Sequence, residues 1–224
     1  MALTFEEQVE SSTGLTIAST GTTPTQDELT QFLKDGVIDV INRMIEINST
    51  ELQKFTQTTT DSNNNGIKVT GKPVSIVREQ GDSTTLRPCN PMNSQDRYEA
   101  TDESSIKFRS KFNPGYYVLD GNIYSVPISA TNNALVVTQV FYPQTSYGDS
   151  SISFFPDEFE HLVVLYGAIK SLEAKMAEYT IDEEDSELAQ SIGLNLSILS
   201  KQYDTTFAYK NERAAAQAQT QKEE

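Results

Sequence analysis

The sequence has no tryptophan, one cysteine (Cys89) and one histidine (His161) among its 224 residues. A single cysteine excludes an intramolecular disulfide and gives no reason to expect an oxidising compartment. No apolar run approaches the roughly 20 residues that a membrane-spanning helix needs, and the N-terminus has no signal-peptide core. We therefore expect a soluble protein made in a cytoplasm.

Basic residues are also scarce. The chain has 17 Lys and Arg against 32 Asp and Glu, which gives a formal net charge of −15. Such a surface repels phosphate groups, so nucleic-acid binding through charge neutralisation is not expected. The same charge would suit a protein past which DNA slides without adhering. The length allows one domain with an insertion or two domains.

The sequence lacks Walker, Rossmann, Gly-x-Ser-x-Gly and His-Glu-x-x-His patterns. Cys89 lies in a predicted turn and His161 on a predicted helix, and neither has the surrounding motif of a nucleophilic site. Residues 61–66 copy the opening of an EF-hand loop, but Lys72 stands where the bidentate Glu is required. We therefore expect no enzyme activity, no cofactor and no metal site.

The segment from Phe155 to Met176 has the apolar spacing of one buried helix face. Pro156 suits the first helical position, and Asp157 and Glu158 suit the first turn, where the helix dipole favours negative charge. Gly167 and Ala168 would let a neighbouring helix approach closely. The apolar positions are 159, 162, 163, 166, 169, 172 and 176.

An earlier helix is predicted over residues 26–46, because Thr25 and Glu28 form a capping-box pattern before an apolar stripe. Residues 1–23 show little periodicity and are interpreted as an extended arm that packs in places. Leu52 and Phe55 indicate a loosely ordered exit from the helix.

Residues 56–66 are polar and are interpreted as a loop, after which the apolar period changes to two. Strands are expected around Val74–Ile76, Ile106–Phe112 and Leu135–Tyr142. The strongest strand signal is residues 116–126, where Asp120-Gly121 favours a hairpin turn. Together, residues 67–142 predict a small antiparallel sheet inserted between helices.

After an acidic turn at 180–187, apolar residues again follow helical spacing, and a last helix is expected to pair with the central one. Residues 209–224 have helix formers but no large apolar side chain beyond Tyr209. We therefore expect residues 210–224 to be disordered in the free protein and helical or extended against a partner. The expected class is α+β: an antiparallel helical bundle with an inserted small antiparallel β-sheet domain and an extended C-terminal tail. The expected parts are residues 1–55, 56–142, 143–208 and 209–224.

The central segment resembles the central helix of the head-to-tail connector (adaptor) proteins of tailed bacteriophages. A Pro-acidic start leads into Leu165-Tyr166-Gly167-Ala168 and Lys170-Ser171-Leu172-Glu173, with Gly167 in place of the family's more usual Ala. The order of parts is also similar over residues 24–46 and 142–207. The resemblance implies a virion protein that forms a cyclic ring of about twelve copies below the portal protein. Such a ring would continue the DNA channel and carry a downstream tail or neck protein.

If the chain forms such a ring, the acidic turn is a candidate for the channel lining, through Asp182, Glu183, Glu184 and Asp185. The alternative is a solvated helix cap. The family's C-terminal end reaches the portal, which makes Lys210, Arg213 and Lys222 docking candidates, with a permanently frayed end as the alternative. A rival function is a carbohydrate- or receptor-binding virion module. Its candidate residues are the aromatics Tyr116, Tyr117, Tyr124, Phe141 and Tyr142.

Overall fold

The computed structural model describes residues 3–47, 50–82, 84–181 and 186–220. Within them the fold is mixed, with four α-helices and eight β-strands. The chain divides into two compact units. Met1–Phe55 and Tyr142–Glu224 form one, here called the helical unit, and Thr56–Phe141 form the other, the sheet unit. None of the described helices has the length and apolar character required to cross a membrane.

The helical unit is built around its third helix. Its helices are α1 (Phe5–Thr13), α2 (Gln26–Ile47), α3 (Asp157–Ile181) and α4 (Ser186–Thr220). Helix α3 packs against each of the other three. The α3 positions predicted to be apolar and inward are confirmed as buried at Phe159, Leu162, Val163, Ile169 and Leu172.

Helix α1 replaces the arm that the sequence predicted for residues 1–23, so that prediction is wrong for residues 5–13. Thr4 caps the helix: its hydroxyl accepts from the Glu7 N–H, and the Glu7 carboxylate accepts from the Thr4 N–H. The helix ends at Gly14, which has a left-handed φ of 71°. The Thr4/Glu7 capping box was a readable signal for this helix, and Phe5 and Val9 form its buried face.

Small residues set the contact between α2 and α3. A Cβ at Gly36 would lie 3.2 Å from the Tyr166 ring, and one at Gly167 would lie 3.1 Å from Leu33. Both glycines therefore permit the close approach that the sequence predicted at Gly167.

The exit from α2 is better ordered than expected, because residues 50–55 form a 3-10 helix. Leu52 is buried, and Phe55 makes edge-on ring contacts with Phe155 and Phe159, each at a centroid distance of 5.2 Å. The sequence underestimated this segment because Phe55 packs on residues at the start of α3, about 100 positions away along the chain.

The sheet unit contains two four-stranded sheets rather than the single small sheet expected. Its strands are β1 (Thr56–Asp61), β2 (Ile67–Lys68), β3 (Pro73–Glu79), β4 (Leu86–Pro88), β5 (Asn90–Pro91), β6 (Gly115–Leu119), β7 (Asn122–Val126) and β8 (Leu135–Val140). The strand orders are β1-β8-β3-β4 and β2-β7-β6-β5. All pairs are antiparallel except β5 with β6. Both sheets contribute to one buried cluster: Ile67, Ile76, Cys89, Ile123, Leu135 and Val137.

Two predictions in this unit are wrong. Residues 56–61, interpreted as part of a polar loop, form strand β1, because its β-branched threonines suit a strand and pair with β8. The hydroxyls of Thr58 and Thr138 lie 2.9 Å apart across that pair. Residues 106–112, interpreted as a strand, form turns instead, and Ile106 and Phe112 are exposed. The predicted hairpin is confirmed, with Asp120 and Gly121 both at positive φ between β6 and β7.

Helix α4 has the expected buried face of Ile192, Leu199, Tyr203 and Phe207. Its backbone continues to Thr220. The prediction of an extended tail from residue 209 is therefore wrong as far as residue 220. The good helix formers noted in the sequence account for the continuation, since they extend a helix that is already nucleated by α4.

Candidate functional site

The residues proposed for a channel and for docking lie, in sequence, between α3 and α4 and near the C-terminus. Asp182, Glu183, Glu184 and Asp185 lie outside the described residues, between the end of α3 at Ile181 and the start of α4 at Ser186. Lys210 and Arg213 lie on the last part of the α4 backbone, and Lys222 lies outside the described residues.

The net charge is divided sharply between the two units. The sheet unit carries eight basic and eight acidic residues, so the helical unit carries the other 9 basic and 24 acidic residues of the chain. The whole formal charge of −15 therefore belongs to the helical unit. A surface with this excess repels polyanions and attracts basic groups.

The EF-hand-like segment is a structural turn. The carboxylate of Asp61 accepts the N–H groups of Asn63 at 2.9 Å, Asn65 at 3.3 Å and Gly66 at 2.9 Å. It also accepts the Ser129 hydroxyl at 3.1 Å. Burial alone would raise the pKa of Asp61, but these donors outweigh it and hold the pKa below its ordinary value. The carboxylate oxygens that a cation would need as ligands therefore already accept hydrogen bonds from the protein.

Cys89 is buried in the core of the sheet unit. Burial raises the pKa of its thiol to about 12, although the nearby Arg78 guanidinium opposes the rise. The thiol is therefore protonated at neutral pH and cannot act as a thiolate nucleophile. His161 belongs to the other unit, on the exposed side of α3.

The predicted aromatic residues do not share one environment. Tyr117 and Tyr124 face each other across the β6–β7 pair with stacked rings, 5.5 Å between centroids and 21° between planes. Gly66 lies against the Tyr124 ring, where a Cβ would approach to 2.7 Å. Tyr116 points the other way and packs against the buried cluster. Tyr142 belongs to the helical unit, where its hydroxyl donates to the Asn42 side chain at 2.9 Å.

A long loop between β5 and β6, residues 92–114, extends the tyrosine pair into a larger surface. The Arg97 guanidinium lies over the Tyr98 ring at 4.4 Å, and Tyr98 is 72% exposed. The 3-10 helix Ser94–Arg97 of this loop contacts strand β6, which carries Tyr117. Burial raises the pKa of Tyr117, and the charge of nearby Arg97 opposes that rise. Ile106 is fully exposed and Phe112 is 60% exposed on the same loop.

Sequence reasoning did not identify this loop because Ile106, Phe108 and Phe112 alternate with basic residues and mimic a strand. The available contrary signal was the density of turn formers before it. Asn93 caps a 3-10 helix, and the Asp102 carboxylate accepts the Ser104 N–H, as Asx turns do.

The described residues form a shallow cleft in each unit. One, of about 320 Å³, lies beside Ile76, Cys89 and Tyr116 in the sheet unit. The other, of about 250 Å³, lies between the C-terminal end of α1, α3 and the first turns of α4. Neither is lined by Asp, Glu, His, Lys or Arg, and among the described residues no group of three His, Cys, Asp or Glu side chains could hold a metal ion.

The described residues thus comprise an acidic helical unit and a charge-balanced sheet unit with an exposed aromatic loop. In comparisons with known proteins, no protein-family model matches the chain and no curated protein gives a match.

Proposed function

We propose that this chain is a structural subunit of a bacteriophage head-to-tail adaptor, a ring that lies below the portal and continues the DNA channel. In this proposal the helical unit is an antiparallel bundle, the sheet unit is its insertion, and the end of α4 with residues 221–224 is a docking tail. The basis is the resemblance of residues 155–176 to the central helix of that family.

The observation that carries the proposal is the division of charge. A channel for DNA needs a wall that repels phosphates, because each neutralising contact would retard the passing duplex. The helical unit has the required excess of acid, whereas the sheet unit, with eight residues of each sign, is suited to contact other proteins. We place Asp182, Glu183, Glu184 and Asp185 on the channel side of the ring.

Docking on the portal is assigned to the end of α4. Lys210, Arg213 and Lys222 would meet acidic groups of the portal, and the helix formers beyond Tyr209 would gain packing that they lack in a free subunit. The downstream tail or neck protein would bind the opposite side of the ring.

Negative-stain imaging of the purified protein, alone and mixed with the portal of its own phage, tests this function. We expect rings of about twelve copies with a central hole, at least in the presence of the portal. If neither sample contains rings, and a virion reconstruction finds the chain outside any ring, the proposal fails.

A second function, recognition of a carbohydrate by the sheet unit, is favoured by one observation: the stacked pair Tyr117 and Tyr124 beside the exposed ring of Tyr98. Exposed ring faces are suited to the apolar face of a sugar. A glycan array is the appropriate test, with Tyr98→Ala as the variant and Tyr209→Ala, which changes an exposed tyrosine of the helical unit, as the control. Glycan binding that only Tyr98→Ala abolishes would support this function.

A further inference from the structure

The loop of residues 92–114 exposes large apolar side chains that the fold does not use. Ile106 is fully exposed, Tyr98 is 72% exposed and Phe112 is 60% exposed. Each costs free energy in contact with water, and three such side chains on one loop are candidates for an interaction surface. We call Arg97, Tyr98, Ile106, Arg109, Lys111 and Phe112 the loop surface.

The loop is held in place although it lacks strands. The Lys107 ammonium bridges the carboxylates of Asp96 at 2.9 Å and Glu99 at 3.0 Å, which ties the turn at residues 106–107 to the segment 96–99. Further along, the Arg109 N–H donates to the carbonyl of Ala100 at 2.9 Å, and Ala100 is fully buried. A preorganised loop loses little conformational entropy when it binds, which favours a protein-docking role.

The charges of the loop surface indicate the kind of partner. Within the part of the chain that the structure describes, Arg97, Arg109 and Lys111 have no carboxylate within 4.0 Å. Lys107 is already paired with Asp96 and Glu99. Residues 92–114 hold four basic and four acidic residues, so the basic groups available to a partner are Arg97, Arg109 and Lys111. Tyrosine, arginine and exposed apolar side chains together are the composition of interface hot spots. The complementary partner is an acidic protein surface.

We propose that this partner is a second copy of the chain, whose acidic helical unit receives the loop surface of its neighbour. That unit carries 24 acidic against 9 basic residues, so each copy supplies both complementary surfaces. A contact between two different surfaces is head-to-tail, and repeated around an axis it closes a ring. The inference rests on the proposed function and names the contact that would join its subunits.

Photo-crosslinking between isotopically distinct copies tests the contact. A benzophenone amino acid replaces Ile106, a position that makes no core contact, in ¹⁵N-labelled protein mixed with ¹⁴N protein. We expect crosslinked peptides that join position 106 of one isotope to residues 1–55 or 142–224 of the other. Crosslinks confined to one copy, crosslinks to the sheet unit of the other copy, or no inter-copy product at millimolar concentration would overturn the inference.

A matched pair of variants tests how much the loop surface contributes to self-association. Ile106→Ser with Lys111→Glu changes the loop surface, and Val74→Ser with Lys72→Glu makes the same chemical changes at exposed positions elsewhere in the sheet unit. By sedimentation velocity over a concentration series, self-association should weaken about tenfold or more in the first variant and stay unchanged in the second. Equal effects in the two variants, or none in the first, would overturn the inference, provided that both melt like the wild type by circular dichroism.

Failure of this inference is distinguishable from failure of the proposed function. If the loop variant still forms rings in negative stain, the inference is wrong and the adaptor function stands. If a glycan binds the wild type and not the loop variant, the surface belongs to carbohydrate recognition and the inference is also wrong.

Discussion

At the scale of single residues, one hydroxyl joins two helices of the helical unit. Tyr203 on α4 is buried, and its hydroxyl donates to the Asp39 carboxylate on α2 at 2.5 Å. Arg43 completes the network: its guanidinium contacts Asp39 at 2.9 Å and lies 4.9 Å from the centre of the Tyr203 ring. The network is thus a packed link between helices that are distant in sequence.

Tyr203→Phe should lower the free energy of unfolding by about 1–2 kcal/mol, because Asp39 loses a buried donor while the ring still packs. Urea unfolding followed by circular dichroism measures the change. Tyr209→Phe is the control, because Tyr209 is 59% exposed and its variant should unfold like the wild type. A Tyr203→Phe variant as stable as the control would show that this hydrogen bond adds nothing net.

The same hydroxyl should make stability sensitive to alkaline pH. Burial, aided by the hydrogen bond to Asp39, raises the pKa of Tyr203 above its ordinary value of about 10. The folded state therefore keeps a proton that the unfolded state loses, and the stabilisation is complete below pH 10 and declines as the pH rises further. Between pH 9 and 11 the wild type should lose more stability than Tyr203→Phe. Parallel losses in the two proteins would contradict this assignment.

At the scale of elements, a missing side chain sets the spacing of α2 and α3. A methyl group at Gly36 would lie 3.2–3.3 Å from three atoms of Tyr166, tighter than ordinary contact. Gly36→Ala should therefore lower stability by about 1–2 kcal/mol in spite of the better helix propensity of alanine.

Gly193→Ala on α4 is the matched control, because a methyl group there would meet nothing within 4 Å. It should raise stability by up to about 1 kcal/mol through helix propensity alone. Thermal unfolding of the two variants and the wild type shows whether each substitution raises or lowers the stability. A stabilised Gly36→Ala protein would mean that the helices separate at little cost.

The end of α4 gives a prediction about docking. The described burial of this helix ends at Phe207, so deletion of residues 210–224 should leave the melting temperature of the rest almost unchanged. Under the proposed function, the truncated protein should no longer bind purified portal in a pull-down or by interferometry. Undiminished affinity would mean that the segment is only a helix end.

The sequence predicted the elements whose signals are local. The Thr25/Glu28 capping box is present, with the Thr25 N–H donating to the Glu28 carboxylate at 2.7 Å and the Glu28 N–H donating to the Thr25 hydroxyl at 3.3 Å. The apolar stripe of α3 and the Asp120-Gly121 turn were equally readable. Strand β1 was not predicted, because four of its six side chains are exposed and its structure depends on pairing with β8, which is distant in the sequence.

The candidate surfaces were less predictable than the elements. Tyr117 and Tyr124 were recognised as aromatic candidates because they flank a hairpin turn that the sequence predicts. The exposure of Ile106 could not be predicted, since the sequence pattern of an apolar residue between basic residues is the same whether its side chain faces a core or water. The partner of Tyr203 was also out of reach, since Asp39 is 164 residues away in the sequence.

At the scale of the whole molecule, the concentration of charge in one unit should make stability depend on salt unequally. Self-repulsion in the acidic helical unit is screened once the Debye length falls to about 10 Å, near 0.1 M salt. Raising sodium chloride from 10 mM to 0.3 M should therefore increase hydrogen-exchange protection more in α2 and α3 than in β3 and β8. Equal increases in the two units would contradict this account.

The acidic turn is tested by its effect on DNA. Under the proposed function, replacement of Asp182, Glu183, Glu184 and Asp185 by lysine should slow DNA ejection from assembled virions, because a basic channel wall binds phosphates. The amide variant, with Asn and Gln at the same positions, should give an intermediate rate and control for loss of charge without reversal. Unchanged ejection in both variants, with normal assembly, would remove these residues from the channel.

The burial of Cys89 has a practical consequence for fluorescence work. A buried thiol with a pKa near 12 is almost entirely protonated at pH 7 and reacts slowly with maleimides, and the chain has no other cysteine. A dye could therefore be attached at one introduced surface cysteine without removing the native one. Energy transfer between copies that carry different dyes would then follow their association in real time.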